Sequence, residues 1–321
     1  MPNLLWFSEI SNEDKETCGK KGVLFGELYN IGLPIPQGFV VTADAYKDFI
    51  ENSNINKQIS NILTDLNLND NRLMQKKADE INDIFLRAEF PEMLKDEILE
   101  SYENLDIDKE VLNFGDKNAL NLIKMGRNLS HVAIRTSNIT DNKEKPVYLS
   151  VKGNNALLLN IKKCWASLFA LKSIYDRETN NLDHDKALNA VIIQRMINPY
   201  SSGIISTIEN DIILKAVYGF PELIFNKSVS FNMYMVDKED LSVKNKSTPR
   251  QEYMITHEES LNKNMKRTVP EDKNYQVLED DVILRLADFS NKIEKYYNKP
   301  VNIEFAIESG KIFIINANEN I

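Results

Sequence analysis

The stretch Gly19–Tyr46, GKKGVLFGELYNIGLPIPQGFVVTADAY, constrains the fold more than any other part of the chain. It opens on Gly–Lys–Lys–Gly, and a short helical run follows with Leu24, Leu28 and Ile31 at helical spacing. Gly32 stops that helix. Pro34 and Pro36 fix φ and withhold two N–H groups, so the chain crosses in extended form to a strand at Gly38–Thr42. Backbone N–H groups at a Gly-rich helix start, with a lysine beside them, suit an anion. A plain helix, kinked loop and strand would use the same residues, so this stretch alone leaves the choice open.

The rest of the chain bounds that choice. Its 321 residues suffice for one large or two modest domains. A net charge of −9 argues against a general nucleic-acid or anionic-membrane surface. Two cysteines, Cys18 and Cys164, make no disulfide framework and point to a reducing cytoplasm. The N-terminal MPNLLWFSEI has neither the basic region nor the apolar core of a signal peptide. No apolar run reaches membrane-spanning length.

Ala43–Leu105 reads as packing helices, with faces at Ile59, Ile62 and Leu66, at Ile81, Ile84 and Phe85, and at Met93, Leu94, Ile98 and Leu99. His131–Ser137 alternates as a strand, with Val132 and Ile134 inward and Arg135 on the other face. Gly153–Tyr175 is an amphipathic helical region through Ile161, Trp165, Leu168 and Tyr175, with Trp165 and Cys164 as core residues. Ala190–Ile197 is a buried strand interrupted by Gln194 and Arg195. Asp237–Asn274 is a charged excursion of loops and a short hairpin. A helix through Tyr297 follows, with Ile283, Leu286, Ile293 and Tyr297 as its buried face. The chain closes on two strands around Glu308–Ser309–Gly310. A two-residue loop there would set Glu304 and Asn316 on opposite faces. A three-residue loop with Gly310 in the left-handed region keeps them together, and that loop is expected.

Taken together, these segments resemble the ATP-binding domain shared by phosphoenolpyruvate synthase, pyruvate phosphate dikinase and rifampicin phosphotransferase. Lys21 falls on the family lysine of a Gly-Gly-Lys-Gly turn. Phe25-Gly26-Glu27-Leu28, Gly32-Leu33-Pro34-Ile35-Pro36 and Gly38-Phe39-Val40-Val41-Thr42 follow in register. Ala133–Ser137, Lys163–Phe169, Lys292–Tyr297 and Asn302–Ile307 also match. There are departures. Lys20 replaces a glycine, and Asn138–Pro146 lacks the phosphate-covering loop, for which Thr136, Lys143 and Lys145 could partly substitute. Pro221 replaces a glycine, and Lys215 stands where an acid is usual. Asn302, Asn316 and Asn318 replace an aspartate, a glutamine and an arginine.

The resemblance implies a two-lobe α+β, ATP-grasp-like nucleotide-binding fold with ATP between the lobes, residues 1–195 forming the first lobe and 196–321 the second. Lys21 and Arg135 would act on the phosphates, with Thr136 beside them. Gln194 and Met196 would lie at the purine, Glu222 would order the site, and Glu304 and Asn316 would hold Mg²⁺. The family passes the ATP β-phosphoryl group to a histidine on a swivelling domain. His131, His184 and His257 lack the context of such a histidine. The chain therefore resembles a separate ATP-binding subunit or fragment, with the histidine-bearing domain as its partner. The other reading is a degenerate member, without catalysis, that senses nucleotide or binds protein.

Overall fold

The protein is described from a computed structural model over residues 2–64, 66–107, 128–140, 146–225, 229–258, 263–271, 273 and 275–319. It is α+β and divides into two compact units. One comprises Met1–Asn30 and Gln37–Met196, the other Ile31–Pro36 and Ile197–Ile321. The Gly32–Pro36 crossing thus belongs with the C-terminal half: the N–H of Ile314 donates to the Pro34 carbonyl at 2.9 Å. Met196 stays with the first unit, where its N–H donates to the His131 carbonyl.

The first unit is built on an antiparallel sheet. Its strands are β1 (Leu4–Trp6), β2 (Gly38–Val41), β3 (Val132–Asn138), β4 (Val147–Val151) and β5 (Asn189–Arg195), in the order β1-β2-β5-β3-β4. Alternation gives each strand two faces. One face carries Phe39, Val41, Val132, Ile134, Val191 and Ile193 into a core with Phe49, Phe85, Leu157, Ile161 and Trp165. Those partners come from helices α2 (Ala43–Asn52), α4 (Asn71–Arg87) and α6 (Asn154–Ala166). Two more helices, α3 (Asn56–Ile62) and α5 (Glu92–Glu103), contribute Ile59, Leu94 and Ile98. Met93 departs from the expected α5 face and is 87% exposed. The amphipathic run after Gly153 is not one helix. It is broken by a 3₁₀ turn at Ser167–Phe169 before α7 (Leu171–Thr179), and Tyr175 is exposed.

The opposite face of this sheet meets α1 (Lys15–Asn30). The approach is close because α1 presents glycines: a Cβ on Gly22 would lie 3.3 Å from Val40 Cγ2. A Cβ on Gly26 would come within 2.6 Å of Ile10.

The second unit holds a six-stranded antiparallel sheet. It is formed by β6 (Ser201–Thr207), β7 (Asp211–Tyr218), β8 (Asn232–Asp237), β9 (Val243–Ser247), β12 (Val301–Glu308) and β13 (Lys311–Glu319), in the order β13-β12-β6-β7-β8-β9. Strands β10 (Tyr253–Glu258) and β11 (Lys263–Thr268) form a separate ribbon. A short helix, α8 (Glu222–Phe225), follows β7. Ile283, Leu286 and Ile293 of helix α9 (Asp280–Tyr297) are buried, as are Ile205, Ile212, Leu214, Tyr234, Val236 and Ile303 of the sheet. Tyr297 is only half-buried. Ile204, Ser206, Lys215, Met233, Met235, Asn302 and Glu304 alternate onto the other, half-buried face.

The closing hairpin corrects the expected loop. Glu308 pairs with Lys311, so the turn has two residues, Ser309 (φ 50°) and Gly310 (φ 75°). Two successive positive φ values make the tight turn whose twist matches the flanking strands. A bulge restores the parity: Phe305 pairs with Ile314 but Glu304 with Asn316, so Ile315 is the extra residue of β13. Glu304 and Asn316 therefore share a face, by a different route from the one expected.

Among the described residues, no helix is long and apolar enough to cross a membrane.

Candidate functional site

In the first unit the Gly–Lys–Lys–Gly turn lies inside α1, where Gly19 (φ 68°, ψ 172°) interrupts the helical geometry. A Cβ there would lie 2.6 Å from both the carbonyl and the Oγ of Ser137, so only glycine fits. The helix restarts with Lys20 and Lys21 exposed. The N–H of Gly22 donates to Ser137 Oγ at 2.9 Å in a buried bond. The turn is thus fastened to the C-terminal end of β3.

Arg135 stands two residues before Ser137 and shares its face, half-buried. Register places Arg135 opposite Ile192, so Gln194 is its diagonal neighbour on the same face. Gln194 is 1% exposed, and its Nε2 has no hydrogen-bond partner. A buried amide donor in that condition costs free energy until something accepts from it. Met196 follows the end of β5. Its sulfur accepts from the N–H of Ser150 at 3.0 Å and from the Ser150 hydroxyl at 3.4 Å. Thr136 is not brought to this group. It pairs with Val191 on the core face, is 6% exposed, and its hydroxyl lies 3.5 Å from the Pro146 carbonyl. Lys143 and Lys145 lie outside the described residues.

In the second unit Asn316 Nδ2 donates to Glu304 Oε1 at 3.1 Å. This orientation is electrostatically required, since an amide oxygen would repel the carboxylate. It leaves Asn316 Oδ1 buried and without a hydrogen-bond partner. A carboxylate and an unspent amide oxygen, side by side, form an oxygen donor pair of the kind Mg²⁺ takes alongside phosphate and water. The residues fit that ion, although among the described residues no group of three acidic, histidine or cysteine ligands occurs. Asn302 Oδ1 accepts from the Ser206 hydroxyl at 2.7 Å, and Asn318, opposite Asn302 in register, is exposed. Glu222 opens α8 after Gly219 (φ 78°) and is half-buried.

Other reactive side chains belong to the scaffold. Cys18 and Cys164 are fully buried. Burial pushes the Cys18 thiol up to about 12, with Asp14 and Asp44 adding to the shift. Burial likewise raises the Cys164 thiol. Full burial and a raised thiol suit core packing rather than a reactive thiolate. His184 Nδ1 accepts from Arg177 Nε at 2.9 Å while its Nε2 donates to Glu178 at 2.8 Å, so both ring nitrogens are engaged. Ser137 is the residue that motif reading underused. Its one signal was its position two residues after Arg135, on the same strand face.

Comparison with known proteins completes the picture. Residues 15–319 match the family described as pyruvate phosphate dikinase, AMP/ATP-binding domain. A probable phosphoenolpyruvate synthase of Methanocaldococcus jannaschii is 31% identical over 99% of this chain and 26% of its own length. One from Methanothermobacter thermautotrophicus is 30% identical over 97% of this chain and 45% of its own length. The chain thus spans from about a quarter to less than half of these relatives. With the Gly–Lys turn, the arginine strand and the closing hairpin all inside the matched span, the chain belongs to the pyruvate phosphate dikinase AMP/ATP-binding domain family.

Proposed function

We propose that this chain is the ATP-binding part of a phosphoenolpyruvate synthase- or dikinase-like phosphotransferase. It passes a phosphoryl group from ATP to a histidine on a separate swivelling domain. The first unit supplies the N–H groups of the Lys20–Lys21 turn, the Lys21 ammonium and the Arg135 guanidinium to the phosphates. Gln194, with its unspent amide donor, and Met196 meet the purine. Glu304 and Asn316 Oδ1 would hold the metal, and Glu222 would order the bound nucleotide. A Mg²⁺ held there would supply positive charge to the phosphates.

The observation that best supports this reading is the Gly22–Ser137 hydrogen bond, because it holds the Gly–Lys turn against the strand of Arg135. Two cations of separate sequence origin then serve one sheet face, which suits a polyanion.

Calorimetry with ATP and Mg²⁺ tests the binding claim. One site is expected, weakened by Lys21→Ala and by Arg135→Ala. Transfer of label from β-labelled ATP to a histidine-bearing partner domain tests the chemistry. No binding at millimolar ATP would overturn the nucleotide reading and favour a protein-interaction role. Binding without transfer to any cognate partner would leave a nucleotide sensor.

A further inference from the structure

Lys215 lies in the middle of β7, on the half-buried face of the second unit's sheet. Among the described residues it makes no ion pair. Its contact is with an aromatic ring: the ammonium stands 5.6 Å from the Phe231 centroid. Its neighbours across the strands are Ile204 and Met233, and neither carries charge. Lys215 is half-buried, and the Phe231 ring face is the one partner of its ammonium among the described residues. Other lysines nearby are matched. Lys244 bridges Asp211 and Asp237, and Lys238 bonds Glu294.

Lys215 and Glu304 are linked by register. Glu304 pairs with Ile204, and Ile204 pairs with Lys215. All three side chains therefore project from one face, with one strand between the charges. That spacing puts the two Cα atoms about 10 Å apart, and among the described residues the Lys215 ammonium and the Glu304 carboxylate form no ion pair. A carboxylate and an amide oxygen at one end suit a divalent cation, and an unmatched ammonium at the other suits an anion. An oligophosphate chelating that cation satisfies both ends at once.

We propose that Lys215 is a phosphate-binding residue, engaging the oligophosphate of a nucleotide whose metal is held by Glu304 and Asn316. This rests on the ATP reading above, since it names a further contact of the same ligand.

The test compares the full chain with Lys215→Met, which keeps the stem beside Met233, and with Lys215→Arg, which keeps the charge. The probes are Mg·ATP, Mg·tripolyphosphate and adenosine, measured by calorimetry, with thermal melts to confirm folding. Lys215→Met should weaken Mg·ATP and Mg·tripolyphosphate roughly 10- to 100-fold, the range for one charge-assisted hydrogen bond. Adenosine binding should not change, and Lys215→Arg should keep most of the phosphate affinity. If Lys215→Met binds Mg·ATP as the parent chain does, the proposal is overturned while the nucleotide reading stands. If the parent binds Mg·tripolyphosphate as tightly as Mg·ATP, shows no adenosine binding, and loses the former in Lys215→Met, the purine reading fails and the phosphate role of Lys215 stands. If the parent binds neither phosphate probe, both are overturned.

Discussion

Gly22 and Ser137, 115 residues apart, are joined by a buried hydrogen bond of 2.9 Å from backbone N–H to hydroxyl oxygen. That bond sits where a helix N-terminus would otherwise present its N–H groups undirected. It spends one of them on the protein and fixes the direction of its neighbours. The hydroxyl thereby sets the turn of Lys20 and Lys21 against the strand of Arg135.

Ser137→Ala should leave the Gly22 N–H buried without an acceptor. The expected loss is about 1–3 kcal/mol of unfolding free energy, read by urea denaturation. ATP affinity should fall with it, because the turn is no longer held. Unchanged stability would mean that the turn finds another acceptor.

Two glycines with similar positive φ should respond differently to alanine. At Gly310 (φ 75°) an added Cβ would meet nothing within 4 Å, so Gly310→Ala should cost only the left-handed strain, about 1–2 kcal/mol. Gly19→Ala adds a collision with the Ser137 carbonyl at 2.6 Å and should be clearly worse. Thermal melts of the two variants decide the point; equal losses would mean that β3 yields readily to the turn.

Asn316→Asp replaces the donor facing Glu304 with a second carboxylate at the 3.1 Å contact. Two such groups share a proton, so the pair's affinity for protons rises in the folded state. The folded protein then binds more protons than the unfolded chain, and stability falls as pH rises toward neutrality. The variant should melt lower than the parent at neutral pH and recover on mild acidification. Added Mg²⁺ should raise its melting temperature more than it raises the parent's. Absence of both effects would count against a metal at this pair.

The buried thiols predict an alkaline limit. Cys18 is raised from 9.0 to about 12 in the folded protein, so the unfolded chain releases its proton first. Its contribution to stability is complete below pH 9.0 and is lost as pH climbs toward about 12. Cys164 shifts in the same direction for the same reason, burial. A Cys18→Ala, Cys164→Ala double variant should lose stability less steeply over that window, measured by denaturant titration at stepped pH. A slope equal to the parent's would place the alkaline sensitivity elsewhere.

Much of this protein could be read from local pattern. The alternation at Val132, Ile134 and Arg135 describes β3 as it stands, and Trp165 is the core residue its helical spacing suggests. Ile283, Leu286 and Ile293 mark the buried side of α9. Met93 misled, because spacing names a face without saying how wide the covered part is. The hairpin loop misled for another reason: Glu-Ser-Gly suits a three-residue loop, but a bulge at Ile315 repairs the parity that a two-residue turn disturbs. Thr136 and Arg135 are adjacent in the motif, yet strand alternation sends them to opposite faces.

The sequence by itself determined the periodic features, because helix and strand geometry convert residue spacing directly into facing. It also determined the family, since the Gly–Lys turn, the Pro34–Pro36 crossing and the arginine strand are recognisable as linear motifs. Only the tertiary structure decided that Ser137 holds Gly22, that Pro34 hydrogen-bonds to β13, and that Lys215 shares a face with Glu304 without an ion pair. Those relationships depend on which strands pair and in what register. Register is set by long-range packing and bulges, whose energies no local window of residues contains.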